Sequence, residues 1–166
     1  LIGEALELGK DTLVTAGGIQ SNHCRLTAAA AKKAGLGCHL VLNGTEPKVP
    51  NGNLLLDKIF GAKIHFCDRK DRDEMLFQVA NKLAKTDKNP YVIPVGGSNS
   101  IGSVGYVNAM LELSLQLKDL DITPDAIVFA TSSGGTQAGL TLGAKITGFK
   151  GDILGISIDQ NKTGSD

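Results

Sequence analysis

The run Gln20-Ser21-Asn22-His23 sets four polar side chains in a row one residue after Gly17-Gly18, between the apolar stretch Thr12 to Ala16 and an alanine-rich stretch that follows Arg25. Ser21 suits a helix N-cap, but one cap needs one acceptor, and Cys24 stands where a capping box would carry Glu or Gln. The surplus of donors beside a helix N-terminus suits a carboxylate. A second cluster, Ser132-Ser133-Gly134-Gly135-Thr136, joins hydroxyls to a glycine turn that opens a helix. There, free N–H groups and the helix dipole favour a phosphate. A third glycine pair, Gly96-Gly97, is followed by Ser98 and Asn99.

Other chemistries are not supported. No G-x-x-x-x-G-K-[ST] occurs, and no G-x-G-x-x-G lies at a strand-to-helix turn, so neither a P-loop nor a dinucleotide fingerprint is present. His23 and Cys24 are adjacent, but neighbours on a helix diverge by about 100° and do not form a nucleophile–base pair. His39 and His65 each fall inside an apolar strand and read as core or surface residues, and no two histidines share a metal-ligand spacing. Cys24, Cys38 and Cys67 lack C-x-x-C spacing, so reduced thiols are expected rather than a disulfide framework or a zinc site.

The elements that position these clusters follow from periodicity and punctuation. A helix tail, Leu1 to Leu8, stops at Gly9, and the strand Thr12 to Ala16 leads into a helix from Ser21 to about Ala34 that Gly35 caps. Strands are expected at Cys38 to Leu42, Lys63 to Cys67, Tyr91 to Val95, Ala126 to Ala130 and Ile153 to Ile158. Helices are expected at Asn53 to Phe60, Arg72 to Thr86, Ile101 to Leu117 and Thr136 to Thr147. Continuous apolar strands alternating with helices predict an α/β fold: a parallel sheet with helices on both faces, three layers in all. Turns that follow parallel strands share one rim, where such folds bind ligands. Asp119 to Asp125, with Pro124, marks the candidate boundary between two lobes.

The 166 residues carry 17 Lys and Arg against 17 Asp and Glu, with no Trp. Without a basic block, nucleic acid is not an expected partner. No window reaches 18 apolar residues, and Leu1 to Gly9 carries two Glu and no basic cluster. Neither a membrane span nor a secretory signal is therefore expected, and the expected address is cytoplasmic.

At these residues the chain resembles the pyridoxal-phosphate-dependent family of 1-aminocyclopropane-1-carboxylate deaminase and D-cysteine desulfhydrase, within the tryptophan-synthase-β-like group. The resemblance runs through "LIGEAL", "TAGGIQSNHCR", "GNLLLDKIFGAKI", "PYVIPVGGSNSIGSVGYVNA" and "SSGGTQAGL", in that order along the chain. It implies that Ser133, Gly134, Gly135 and Thr136 hold the phosphate of pyridoxal 5'-phosphate and that Asn22 bonds the oxygen on the cofactor ring. It further implies that Ser21, helped by Gln20 and His23, binds the substrate carboxylate and acts on the substrate as a catalytic residue, with Asn99 on the substrate side. On this resemblance residues 1–118 are the smaller domain with the substrate-side loops, and 119–166 are part of the larger cofactor domain.

The lysine that such enzymes join to the cofactor belongs, by the same resemblance, to a stretch before the one matched by "LIGEAL". Lys10 precedes the first strand and is expected at the opposite rim. The chain thus resembles a fragment of a lyase that releases ammonia and a 2-oxo acid from a small amino acid, a homodimer when intact, and is expected to be inactive alone. The alternative is a non-catalytic anion-binding α/β module.

Overall fold

The structure, a computed structural model, describes residues 1–158. The expected second domain's residues 159–166 lie outside the described residues. Two compact units are present, Leu1–Gly97 and a second beginning at Ser98.

The first unit runs α1 (Ile2–Glu7), β1 (Thr12–Gly18), α2 (Asn22–Ala34), β2 (Gly37–Asn43), α3 (Gly52–Ile59), β3 (Lys63–Cys67), α4 (Arg72–Ala84) and β4 (Pro90–Val92). Its four strands are parallel in the order β3-β2-β1-β4. β1 is central and, from Thr12 to Gly17, buried, as a strand covered on both sides must be. Leu13, Leu40 and Leu42 face one way and pack with Ala28 and Ala31 of α2 and Leu54 of α3. Val14, Ala16 and Val41 face the other way, against Leu76, Val79 and Ala80 of α4. The period-two alternation of β1 thus feeds two cores, giving the three layers read from the sequence. α2 ends at Gly35, whose φ of 71° supplies the left-handed cap.

β1 is longer than expected because the glycine pair continues the ladder, Gly17 opposite Leu42 and Gly18 opposite Asn43. β4 is shorter than the expected Tyr91 to Val95, since Pro94 has no N–H to give to a ladder.

The second unit runs α5 (Ser100–Asp119), β5 (Ala126–Thr131), α6 (Gly135–Thr147) and β6 (Asp152–Ser157). β5 and β6 pair in parallel as a separate two-stranded sheet. The compact units also divide between Gly97 and Ser98, not at 118/119. The reason is packing: α5, assigned by composition to the first domain, buries Met110 against Leu140 and Ala144 of α6. One face of the two-stranded sheet stays uncovered, with Val128, Leu154 and Ile156 at 62%, 46% and 57% exposure. Two strands alone are marginal in water, and among the described residues of the second unit helices pack on one face of the sheet only.

Among the described residues no helix is long and apolar enough to cross a membrane. Among them, too, no group of three or more His, Cys, Asp or Glu could hold a metal ion.

Candidate functional site

The polar quartet sits at the carboxyl rim of the four-stranded sheet, where β1 turns into α2. Gly17 is needed for room rather than for unusual dihedrals: a Cβ there would stand 2.7 Å from Ser21 Oγ and 2.8 Å from Cys24 Sγ. Its absence lets the first turn of α2 press against the strand end. Ser21 Oγ accepts the N–H of Cys24 at 3.1 Å, the N-cap bond expected of it. The Ser21 hydroxyl proton then has no acceptor among the described residues. Cys24 is fully buried, and burial, with the Asp57 charge adding, pushes its thiol up to about 11, so it is packing rather than a nucleophile.

Gln20 is spent on structure. Its Oε1 accepts the N–H of Asn53 at 2.8 Å and its Nε2 donates to Asn51 Oδ1 at 3.1 Å, so it caps α3 from another element. Gly52, at a φ of 51°, opens the space for this approach: a Cβ would stand 2.5 Å from Gln20 Oε1. Gln20 was expected to help bind a substrate carboxylate. Both ends of its amide are instead engaged within the chain.

Asn22 and His23 are each held at one end. Asn53 Nδ2 donates to Asn22 Oδ1 at 2.9 Å and to the Gln20 carbonyl at 2.8 Å. His23 Nε2 lies 2.8 Å from Thr15 Oγ1, and burial lowers the pKa of the ring, favouring neutral imidazole. Gly97, at a φ of 65°, lies beside the ring, its would-be Cβ 3.5 Å from His23 Cε1. The turns Gly17-Gly18 and Gly96-Gly97 therefore do share a rim, because β1 and β4 run in parallel. Three groups have no partner among the described residues at this rim: the Ser21 hydroxyl, the Asn22 NH₂ and His23 Nδ1.

The second cluster belongs to the other unit. Gly134, at a φ of 84°, is the N-cap of α6 and makes no side-chain cap bond, so the N–H groups of the first turn point outward unclaimed by a cap. Ser133 Oγ meets Ser98 Oγ at 2.5 Å, and a Cβ on Gly135 would stand 2.6 Å from Ser98 Oγ. Asn99 Oδ1 accepts the N–H of Gly102 at 2.7 Å and so caps α5. One end of its amide is thus structural.

Glycines every fourth residue bring α5 and α6 together. Gly135 lies on Ser98, Gly139 on Ser103 and Tyr106, and Gly143 on Val107 and Met110. Both series ascend, so the helices run in the same direction and their N-termini open side by side at Ser98 and Ser133. Two dipoles of the same sense then add at one place, which suits a dianion. Thr136 stands in the first turn of α6 beside them.

The family model of pyridoxal-phosphate dependent enzymes matches residues 1–165. The chain belongs to the pyridoxal-phosphate dependent enzyme family. Among its relatives in that family, D-cysteine desulfhydrase of Klebsiella pneumoniae subsp. pneumoniae is 41% identical over 97% of this chain and 51% of its own length. The bifunctional D-cysteine desulfhydrase/1-aminocyclopropane-1-carboxylate deaminase, mitochondrial, of Arabidopsis thaliana is 39% identical over 95% of this chain and 42% of its own length. A crystal structure of an ACC deaminase homologue superposes with a TM-score of 0.86 at 42% identity, over 94% of this chain and 47% of the other. The chain spans about half the length of the curated relatives it matches.

Sequence reading missed Thr15 and Asn53, which hold site residues in place, and gave Ser98 no role beyond its place in the loop before Asn99. Thr15 could have been found as a hydroxyl inside an apolar strand, and the α5–α6 seam as Gly135, Gly139 and Gly143 at a period of four. Asn53 carries no local signal, because its partners lie about thirty positions away and meet it only through the fold.

Proposed function

We propose that this chain is part of a pyridoxal-phosphate-dependent lyase that acts on a small amino acid, D-cysteine or 1-aminocyclopropane-1-carboxylate, and releases ammonia and a 2-oxo acid. The observation that carries this reading is the paired opening of α5 and α6 at Ser98 and Ser133. There, Ser133, Gly134, Gly135 and Thr136 form a cradle of hydroxyls and N–H groups that fits the cofactor phosphate. Gly135 keeps the cradle clear, since a Cβ there would collide with Ser98.

Bound pyridoxal phosphate supplies the electron sink for carbanion chemistry at the substrate's α-carbon. The chain's own residues do the rest. Asn22, its carbonyl engaged by Asn53, turns its NH₂ outward as a donor for the oxygen on the cofactor ring. Ser21, whose oxygen accepts the N–H of Cys24 and leaves the hydroxyl proton uncommitted, donates in this reading to the substrate carboxylate beside the positive end of α2 and acts on the substrate directly. Lys10 does not serve as the cofactor's lysine: it lies before β1 and donates to Asn89 Oδ1 at 2.9 Å. The chain alone is therefore expected to show no turnover.

Three free thiols, Cys24, Cys38 and Cys67, suit a reducing compartment, and this reading carries a cytoplasmic homodimer. The test is titration of the full-length protein with pyridoxal phosphate, followed by assays for ammonia and 2-oxo acid with both amino acids. Cofactor uptake with turnover of at least one is expected; a protein that never takes up the cofactor overturns the reading.

A further inference from the structure

We propose that Thr15 is a positioning residue that fixes His23 in its Nε2-protonated form, so that the imidazole turns an unprotonated Nδ1, a hydrogen-bond acceptor, toward the Gly96-Gly97 turn. The argument is one of proton counting. Thr15 Oγ1 carries a single proton, and it goes to the Ile93 carbonyl at 2.9 Å, which has none to return. Only a lone pair is then left for His23 Nε2 at 2.8 Å, so the ring nitrogen must be the donor. A neutral imidazole with its proton on Nε2 has a bare Nδ1.

Each part of this relay is anchored. Thr15 is fully buried on the central strand, opposite Leu40. The Ile93 carbonyl cannot swing away, because the Ile93 N–H donates to Val14 at 2.8 Å and holds that segment to β1. The Nδ1 edge of the ring lies next to Gly97, with Nδ1 3.8 Å from where a Cβ would stand. Nδ1 has no partner among the described residues and is not among the buried unpartnered atoms, so it reaches solvent.

The consequence rests on the function proposed above. An acceptor nitrogen repels a carboxylate, so His23 does not join Ser21 in gripping that group, as the sequence had led us to expect. It recognises instead a donor on the substrate: an ammonium, thiol or hydroxyl proton. Between substrates of equal size, this selects for the one that brings such a proton to the Gly97 side.

The experiment reads the ring nitrogens directly, by NMR of the chain labelled with ¹⁵N-histidine at neutral pH. With three histidines in the chain, His39→Gln and His65→Gln assign the signals. One protonated and one bare nitrogen are expected for His23, with the proton on Nε2. Thr15→Ser is expected to keep this pattern, and Thr15→Val, which keeps the shape without the oxygen, to lose it to averaged tautomers. A proton on Nδ1 in the unsubstituted chain, or an unchanged pattern in Thr15→Val, overturns the proposal. Should Thr15→Val fail to fold, the unsubstituted spectrum decides: a single Nε2-protonated form upholds the proposal, and any other form overturns it. No cofactor is needed, so failure to bind pyridoxal phosphate would overturn the proposed function and leave this result standing.

Discussion

Asn53 Nδ2 donates to Asn22 Oδ1 at 2.9 Å, and this bond decides which end of the Asn22 amide faces outward. The same NH₂ group gives its other proton to the Gln20 carbonyl at 2.8 Å, so Asn53 cannot flip without facing two acceptors with a third. Asn53→Asp should therefore do more harm than Asn53→Ala. The carboxylate would draw the NH₂ of Asn22 inward and turn its carbonyl out, where a donor is required. In the full-length protein, spectroscopic titration should show pyridoxal phosphate binding weakened by about tenfold in Asn53→Ala, the value of one hydrogen bond, and by more in Asn53→Asp. Equal affinities in the two variants would refute this orientation.

Gly139 should resist even a methyl group. Alanine in a helix interior is normally about 1 kcal/mol better than glycine, but a Cβ at 139 would collide with the Ser103 carbonyl and stand 2.5 Å from Tyr106 Cβ. Overpacking of this kind costs about 1–3 kcal/mol. Gly105 is the control, since nothing lies within 4 Å of its would-be Cβ. Urea denaturation should show Gly139→Ala lowering the midpoint and Gly105→Ala leaving it unchanged or raising it. Stabilisation by both would mean that α5 and α6 are not in close contact at this seam.

His39 Nδ1 and His65 Nε2 are 3.0 Å apart, brought together by the pairing of β2 with β3, and share one proton between them. Burial pushes His39 down to about 4, helped by the charges of His65 and Lys63; burial also lowers His65, helped by Lys82 and Lys63. A second proton would set N–H against N–H. Because the unfolded chain takes protons near 6.5 that the folded pair refuses, this pair's contribution to stability is complete above 6.5 and is lost as pH falls toward 4. Denaturation across that range should show the loss, and His65→Gln should flatten it. An identical pH profile in the variant would sink this account.

The first unit was legible because its strands announce themselves: continuous apolar runs bounded by Gly9, Gly35 and Gly61 leave little choice of element. The Ser21 and Gly35 caps could also be read locally, since a cap is a matter of neighbours. Gln20 could not. Its polarity reads as a ligand donor when its real partners, Asn51 and Asn53, are distant in sequence. Composition likewise drew the boundary at the Pro124 loop, whereas the compact units are decided by which helix α6 packs against, a contact encoded in glycines whose period of four only matters once the second helix is known.

Asp57 is the least comfortable group in the first unit. It lies on the face of α3 that meets α2, fully buried, and neither carboxylate oxygen has a hydrogen-bond partner among the described residues. Burial raises its pKa from 3.8 to about 6, with the Arg25 charge pulling the other way without forming an ion pair. Between those two values the folded chain holds a proton that the unfolded chain has released, so stability falls as pH rises through this window and stays lower above it. Asp57→Asn removes the charge at nearly constant shape, though its amide also goes unpartnered. It should stabilise the chain by about 1–2 kcal/mol at pH near 8 and make little difference at pH near 4. Subtracting the two denaturation profiles isolates this group from the histidine pair, which titrates in an overlapping range with opposite sign. A variant that is destabilised at pH near 8 would mean that the carboxylate has a partner after all, with Arg25 the first to examine.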